Sequence, residues 1–144
     1  MTRVGLHVSA AGGLDRAPDN ALALGCEVFQ FFSRSPRGGS ATPISDAMAR
    51  SFREKCARAQ LVCFIHAPYY INFASKNQRI SWGSVHAIQE ELRRGTTLGV
   101  EYVMTHLGSK KDLGEAAALK QTMTRIKAIF ASREQWTTKL LLEN

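Results

Sequence analysis

The sequence has no run of the about 18 apolar residues that a membrane helix requires, and its opening, MTRVGLHVSAAGG, holds no apolar stretch long enough for a signal peptide. Both absences argue against a membrane partner and predict a soluble, intracellular protein. Cysteine is scarce: Cys26, Cys56 and Cys63 form no CxxC pair and cannot all pair within the chain. That pattern argues against a disulfide framework and predicts packed thiols in a reducing cytoplasm. Low-complexity segments and linkers are missing as well, so nothing divides the chain into parts. The glycine-rich SAAGG stretch is not followed by GK[ST] and lacks GxGxxG spacing, so it is a weak phosphate-cradle signal and favours a tight βα turn.

What is present is a chain of 144 residues, 44% hydrophobic, long enough for one domain with a core. Its 19 Lys and Arg exceed its 12 Asp and Glu, and a net charge of +7 suits either simple solubility or an anionic partner such as nucleic acid. Short runs rich in β-branched and aromatic residues alternate with longer stretches of helical period, the pattern of βα units around a parallel sheet. Strands are predicted at Arg3 to Ser9, Glu27 to Ser33, Leu61 to Ala67, Glu101 to Leu107 and the closing KLLLEN. Helices are predicted at Leu14 to Leu24, Ser45 to Gln60, Ser81 to Leu98 and Glu115 to Ser132, with Gly25 and Gly99 as C-terminal stops. In the second helix Met48, Phe52, Cys56 and Ala59 form one apolar stripe. The fold class is therefore α/β.

Polar residues sit where these strands end. His7 lies near the end of the first, His66 ends the third, His106 the fourth and Glu143 the fifth. A lone histidine on an apolar run reads as a hydrogen-bonded core residue. Three metal-competent side chains at the same end of three successive strands favour a metal site, because adjacent parallel strands lie about 4.8 Å apart and their side chains can converge. Two histidines and a glutamate form a known zinc set that leaves a coordination position open. His7 faces the same rim, beside the ligands rather than among them. His86, mid-helix in WGSVHAIQEE, reads as a helix-surface or packing residue.

The loop SRSPRGGSATP, Ser33 to Pro43, is long for a βα connection, and loops of this kind either bind or simply cover the surface. Tyr69 and Tyr70 follow His66 in HAPYYIN. They read as rim packing or as rings that stack on bases or wedge into a duplex. Arg34 and Arg37, on the neighbouring strand end, would then meet the phosphate backbone.

Taken together, GLHVSAAGGL, FFSRSPRGG, HAPYYIN, THLGS and LLLEN resemble, in order and spacing, the endonuclease IV family of zinc-dependent apurinic/apyrimidinic endonucleases. The resemblance implies a TIM (β/α)₈ barrel, of which this chain holds about five strands and four helices. Residues 1–144 then form an incomplete domain of the AP endonuclease family 2 / xylose isomerase-like type. It implies that His66 and His106 bind one zinc, and that Glu143 is the catalytic carboxylate bridging it to a second. Up to three zinc ions are implied in the full-length family, and His and Glu donors also accept manganese. Arg37, Tyr69 and Tyr70 fall where the family inserts side chains into DNA at the lesion. The second tyrosine stands where other members carry a leucine, and the loop lacks a tryptophan that some members carry after the arginine.

The implied partner is double-stranded DNA containing abasic sites, cut 5′ to the lesion by zinc-activated water. A whole barrel takes about 250 residues. The further His, Asp and Glu ligands of later strands have no counterpart here, so the chain alone is expected to be inactive or impaired. Its unpaired first and fifth strands are expected to favour self-association. Two other readings compete: a metal-dependent sugar isomerase or epimerase of the same barrel superfamily, and a half-barrel remnant that binds DNA without chemistry.

Overall fold

Strand parity decides which side chains this protein can bring together. In the computed structural model, which describes residues 2–143, β1 (Gly5–His7), β2 (Val28–Phe31), β3 (Val62–His66), β4 (Tyr102–His106) and β5 (Lys139–Glu143) form one parallel sheet in sequential order. Helices α1 (Ala17–Ala23), α2 (Asp46–Arg58), α3 (Gln78–Leu98) and α4 (Glu115–Phe130) connect them. This is the α/β alternation the sequence predicts. Asn144, read as the last residue of the fifth strand, lies outside the described residues.

Successive side chains of a strand point to opposite faces. Phe29, Phe31, Cys63, Ile65 and Val103 are buried, and they pack with Phe52 of α2 and with Val85, Ile88 and Leu92 of α3 in one core. Phe29, Phe31 and Phe52 stack as a tilted trio with centroids 5.4 to 6.3 Å apart. Each fully buried side chain of this size contributes about 1.5 to 3 kcal/mol. The alternate residues, among them Phe64, His66, Tyr102, Met104 and His106, take the opposite face. In α2 only Phe52 of the predicted stripe is fully buried, joined by Ala49, while Met48, Cys56 and Ala59 are half-buried.

Local signals set the element boundaries. Ser45 caps α2 by accepting from Met48 N, and Asn77 caps α3 by accepting from Arg79 N. The Asn77 cap starts α3 three residues before the predicted Ser81. Gly99 closes α3 at φ 73°, a conformation that glycine adopts without steric cost. Before α1 the chain makes a 3₁₀ turn at Leu14–Arg16, so the regular helix starts later than its apolar period suggests. Among the described residues β1 and β5 are the sheet edges, and Leu6, Leu141 and Leu142 on them are exposed. No helix of the described residues is long and apolar enough to cross a membrane. Cys26, Cys56 and Cys63 are free thiols.

Candidate metal centre and its flanking loops

The register of the sheet builds the rim. His106 pairs with Glu143 across β4 and β5, while His66 pairs with Met104, one residue pair lower on the same face. This stagger brings the ligand atoms of His66, His106 and Glu143 within 4.8 Å of one another. The His106 Nδ1 to Glu143 Oε2 distance is 3.3 Å, and the His66 and His106 rings lie edge to face with centroids 5.1 Å apart. Around a tetrahedral ion with bonds of about 2.0 to 2.2 Å, ligand atoms stand about 3.3 Å apart, so this donor set fits zinc after small side-chain adjustments.

His66 is 7% exposed, whereas His106 and Glu143 are exposed. Burial pushes the His66 imidazole below its ordinary pKa, reinforced by charge repulsion from His106 and His7 and opposed by a backbone hydrogen bond and Glu143. Its Nδ1 donates to the Ala67 carbonyl at 2.5 Å. A carbonyl can only accept, so the proton sits on Nδ1 and the Nε2 lone pair is free for a metal.

His7 is not part of this cluster. It pairs with Gln30, which pairs with Phe64, so it stands one pleat below His66. Its Nδ1 lies 3.1 Å from Gln30 Oε1, and its ring is 4.5 Å from Phe32 and 6.2 Å from His66. His86 is exposed on the surface of α3.

The loops after β2, β3 and β4 are tied to one another. Tyr69 N donates to Pro36 O at 3.1 Å, and Phe73 N donates to Leu107 O at 3.3 Å. Asn72 Oδ1 accepts from Ala74 N and Ser109 N, and Gln121 of α4 donates to Phe73 O and Ser75 O. Tyr69 and Tyr70 are thereby held on a braced segment with their rings exposed, 63% and 39%. Arg37 is exposed as well, followed by Gly38 and Gly39 at φ 115° and 96°, which turn the chain back. A cleft of about 630 Å³ runs from Tyr69 and Tyr70 to His106 and Glu143.

Arg34 behaves differently from the sequence expectation. Its side chain is only 6% exposed and forms ion pairs with Glu90 and with Glu91, the latter at 2.8 Å. It is thus not free to meet a phosphate. Glu91 is fully buried, and burial pushes its carboxyl up, opposed by the Ser33 hydroxyl and by Arg34 and Arg94. Sequence reasoning missed Glu91 and Arg94, although one signal was available: Ile88, Glu91 and Gly95 follow the spacing of a buried helical stripe.

The family described as "Xylose isomerase-like TIM barrel" matches residues 18–144. A protein named "Probable endonuclease 4" from Methanoculleus marisnigri is 39% identical over 145 residues, covering 100% of this chain and 51% of that protein. The crystal structure of endonuclease IV from Thermus thermophilus superposes with TM-score 0.81 at 33% identity, covering 99% of this chain and 52% of the other. A D-tagatose 3-epimerase-like protein superposes with TM-score 0.69 at 20% identity, over 98% of this chain and 53% of the other, a likeness of fold alone. The chain spans about half the length of the curated relatives it matches. It belongs to the xylose isomerase-like TIM barrel family, and the relatives it resembles in both sequence and fold are endonuclease IV proteins.

Proposed function

We propose that this chain supplies one metal subsite and the lesion-facing loops of an endonuclease that cuts DNA 5′ to abasic sites. The observation that carries the reading is a single rim where the His66, His106 and Glu143 ligand atoms lie within 4.8 Å of one another beside the exposed Tyr69 and Tyr70. A small sugar substrate has no need of two exposed rings and the exposed guanidinium of Arg37. Free thiols at Cys26, Cys56 and Cys63 suit the reducing cytoplasm in which we place it.

His66, His106 and Glu143 would hold zinc, with manganese as a second candidate. Bound there, zinc would act as a Lewis acid towards a phosphoryl oxygen and would lower the pKa of a bound water. The chain's own residues do the rest. His66 offers a neutral lone pair oriented by its bond to Ala67 O. Glu143 presents its carboxylate beside His106 at the end of β5. Tyr69 and Tyr70 stack against unpaired bases, and Arg37 takes the backbone or the gap left by the missing base. An abasic nucleotide is cheap to unstack, so the wedge itself selects the lesion.

The test uses a fluorescent duplex with one abasic site and its intact counterpart, with zinc, over a salt series. Tighter binding to the abasic duplex, weakening linearly in log–log form as salt rises, is expected, together with little or no incision by this chain alone. Equal affinity for both duplexes, or metal-dependent epimerisation of a ketose, would overturn the DNA reading. Robust single-turnover incision would overturn the expectation of impaired activity.

A further inference from the structure

The loop that carries Arg37 is fastened at both ends by one buried side chain. Arg94 of α3, 7% exposed, donates through Nε to Ser33 Oγ at 2.8 Å and through Nη1 to the Thr42 carbonyl at 2.8 Å. Its Nη2 donates to the Ser33 carbonyl. Ser33 and Thr42 are the first and nearly the last residues of the loop, so one guanidinium closes it like a clasp. A planar fork of donors suits two carbonyls and a hydroxyl in fixed positions, whereas an ammonium makes no such fork.

A second charge completes the clasp. Ser33 Oγ donates to Glu91 Oε2 at 2.5 Å, and Glu91 Oε1 lies 2.8 Å from Arg34 Nε. Arg34 also forms an ion pair with Glu90. Arg34 Nη1 in turn reaches the Tyr70 hydroxyl at 3.5 Å. The two arginines balance Glu90 and Glu91, and the chain of contacts runs from α3 through the loop to the tyrosine pair. Burying such groups costs stability that apolar packing would not, which favours a role in holding geometry over one in stability.

We propose that Arg94 and Glu91 are positioning residues that close residues 33–42 into a rigid loop and set the spacing between Arg37 and the Tyr69–Tyr70 pair. The role in lesion selection rests on the DNA reading above, whereas the anchoring itself does not. Two readouts keep them apart. Trypsin cleavage at Arg37–Gly38, followed by mass spectrometry and normalised to cleavage at Lys55 in α2 and Arg125 in α4, reports opening of this loop without any ligand. The ratio of affinities for abasic and intact duplex reports lesion selection.

Arg94→Lys keeps the charge and loses the fork. It is expected to raise normalised cleavage at Arg37 about tenfold, since proteolysis tracks the open population. Ser33→Ala, which changes no charge, is expected to raise it about threefold by removing the hydroxyl shared by Arg94 and Glu91. Both variants are expected to bring the affinity ratio down towards one. Unchanged cleavage at Arg37 in both, or a rise equal to that at Lys55 and Arg125, would overturn the anchoring. A loosened loop with undiminished preference for the abasic duplex would overturn the selection role. Absence of any preference in the wild-type chain would overturn the DNA reading and leave the cleavage result to judge the anchor.

Discussion

His106 and Glu143 face each other in register on neighbouring strands, with Nδ1 and Oε2 3.3 Å apart. Both side chains are about half exposed, 47% and 48%, so as a bare ion pair they add little stability. Their placement is more valuable to a cation that accepts from both. Glu143→Gln should therefore leave the unfolding midpoint nearly unchanged while weakening zinc binding. His66→Ala should weaken zinc binding by more than the ten- to hundredfold, roughly, that removing a supporting hydrogen-bond partner costs. Competition against a chromophoric zinc chelator measures both, and wild-type zinc affinity in either variant would contradict the assignment.

Burial of His66 makes a pH prediction for the metal-free chain. The folded-state pKa lies below the ordinary 6.5, chiefly through burial, so between those two values the unfolded chain binds more protons than the folded one. Stability therefore rises with pH through that window, and it is lost as pH falls from 6.5 towards the folded pKa. His66→Asn removes the titration. Urea unfolding of both proteins over this range should show the stability of the wild type relative to the variant falling as pH falls. A constant difference would rule out a depressed pKa at His66.

The parts legible in the sequence and the parts that were not separate along physical lines. The five strands and four helices follow from the change in hydrophobic period, and His66, His106 and Glu143 stand out because each ends an apolar run. The spacing of parallel strands made their convergence expected, while the height of each on the rim came from the register. His7 could not be placed at the right height from sequence, because the level at which it meets Gln30 and Phe64 depends on register. Arg34 illustrates the harder limit. A loop arginine beside an exposed arginine looks the same on paper whether it meets solvent or a buried glutamate, and the partner Glu91 is 57 residues away in the chain. The α3 boundary erred for a simpler reason, since the Asn77 cap outweighs the weak apolar period of the first turn.

Gly108 offers a test of how the loops beside the metal site are braced. It sits at φ 100°, and a Cβ there would come within 2.7 Å of the Asn72 Cα. Asn72 is the residue whose Oδ1 accepts from Ser109 N and Ala74 N, so the intrusion strikes the joint between the two loops. Gly108→Ala should cost on the order of 1 to 3 kcal/mol, as a non-glycine residue forced into such a conformation does. It should also accelerate hydrogen exchange at Phe73 and Ser109 before that of the sheet. Wild-type stability with unchanged exchange would show that the joint yields freely.

The edges of the sheet carry the last prediction. Among the described residues β1 and β5 each pair on one side only, and Leu6 on the first and Leu142 on the second are 55% and 50% exposed. An open edge with apolar side chains offers unpaired backbone groups to another strand, and a charged side chain is the usual means of blocking that pairing. The 144-residue chain should thus associate as concentration rises in sedimentation velocity. Leu142→Lys should shift the distribution towards monomer, and adding Leu6→Lys should shift it further by disabling the other edge. Neither substitution replaces a metal ligand, and Leu142 points to the opposite face of β5 from its neighbour Glu143, so retained zinc binding serves as the control for intact structure. A wild-type chain that stays monomeric at all concentrations would show that these edges do not pair, whereas association unaffected by both substitutions would assign it to another surface.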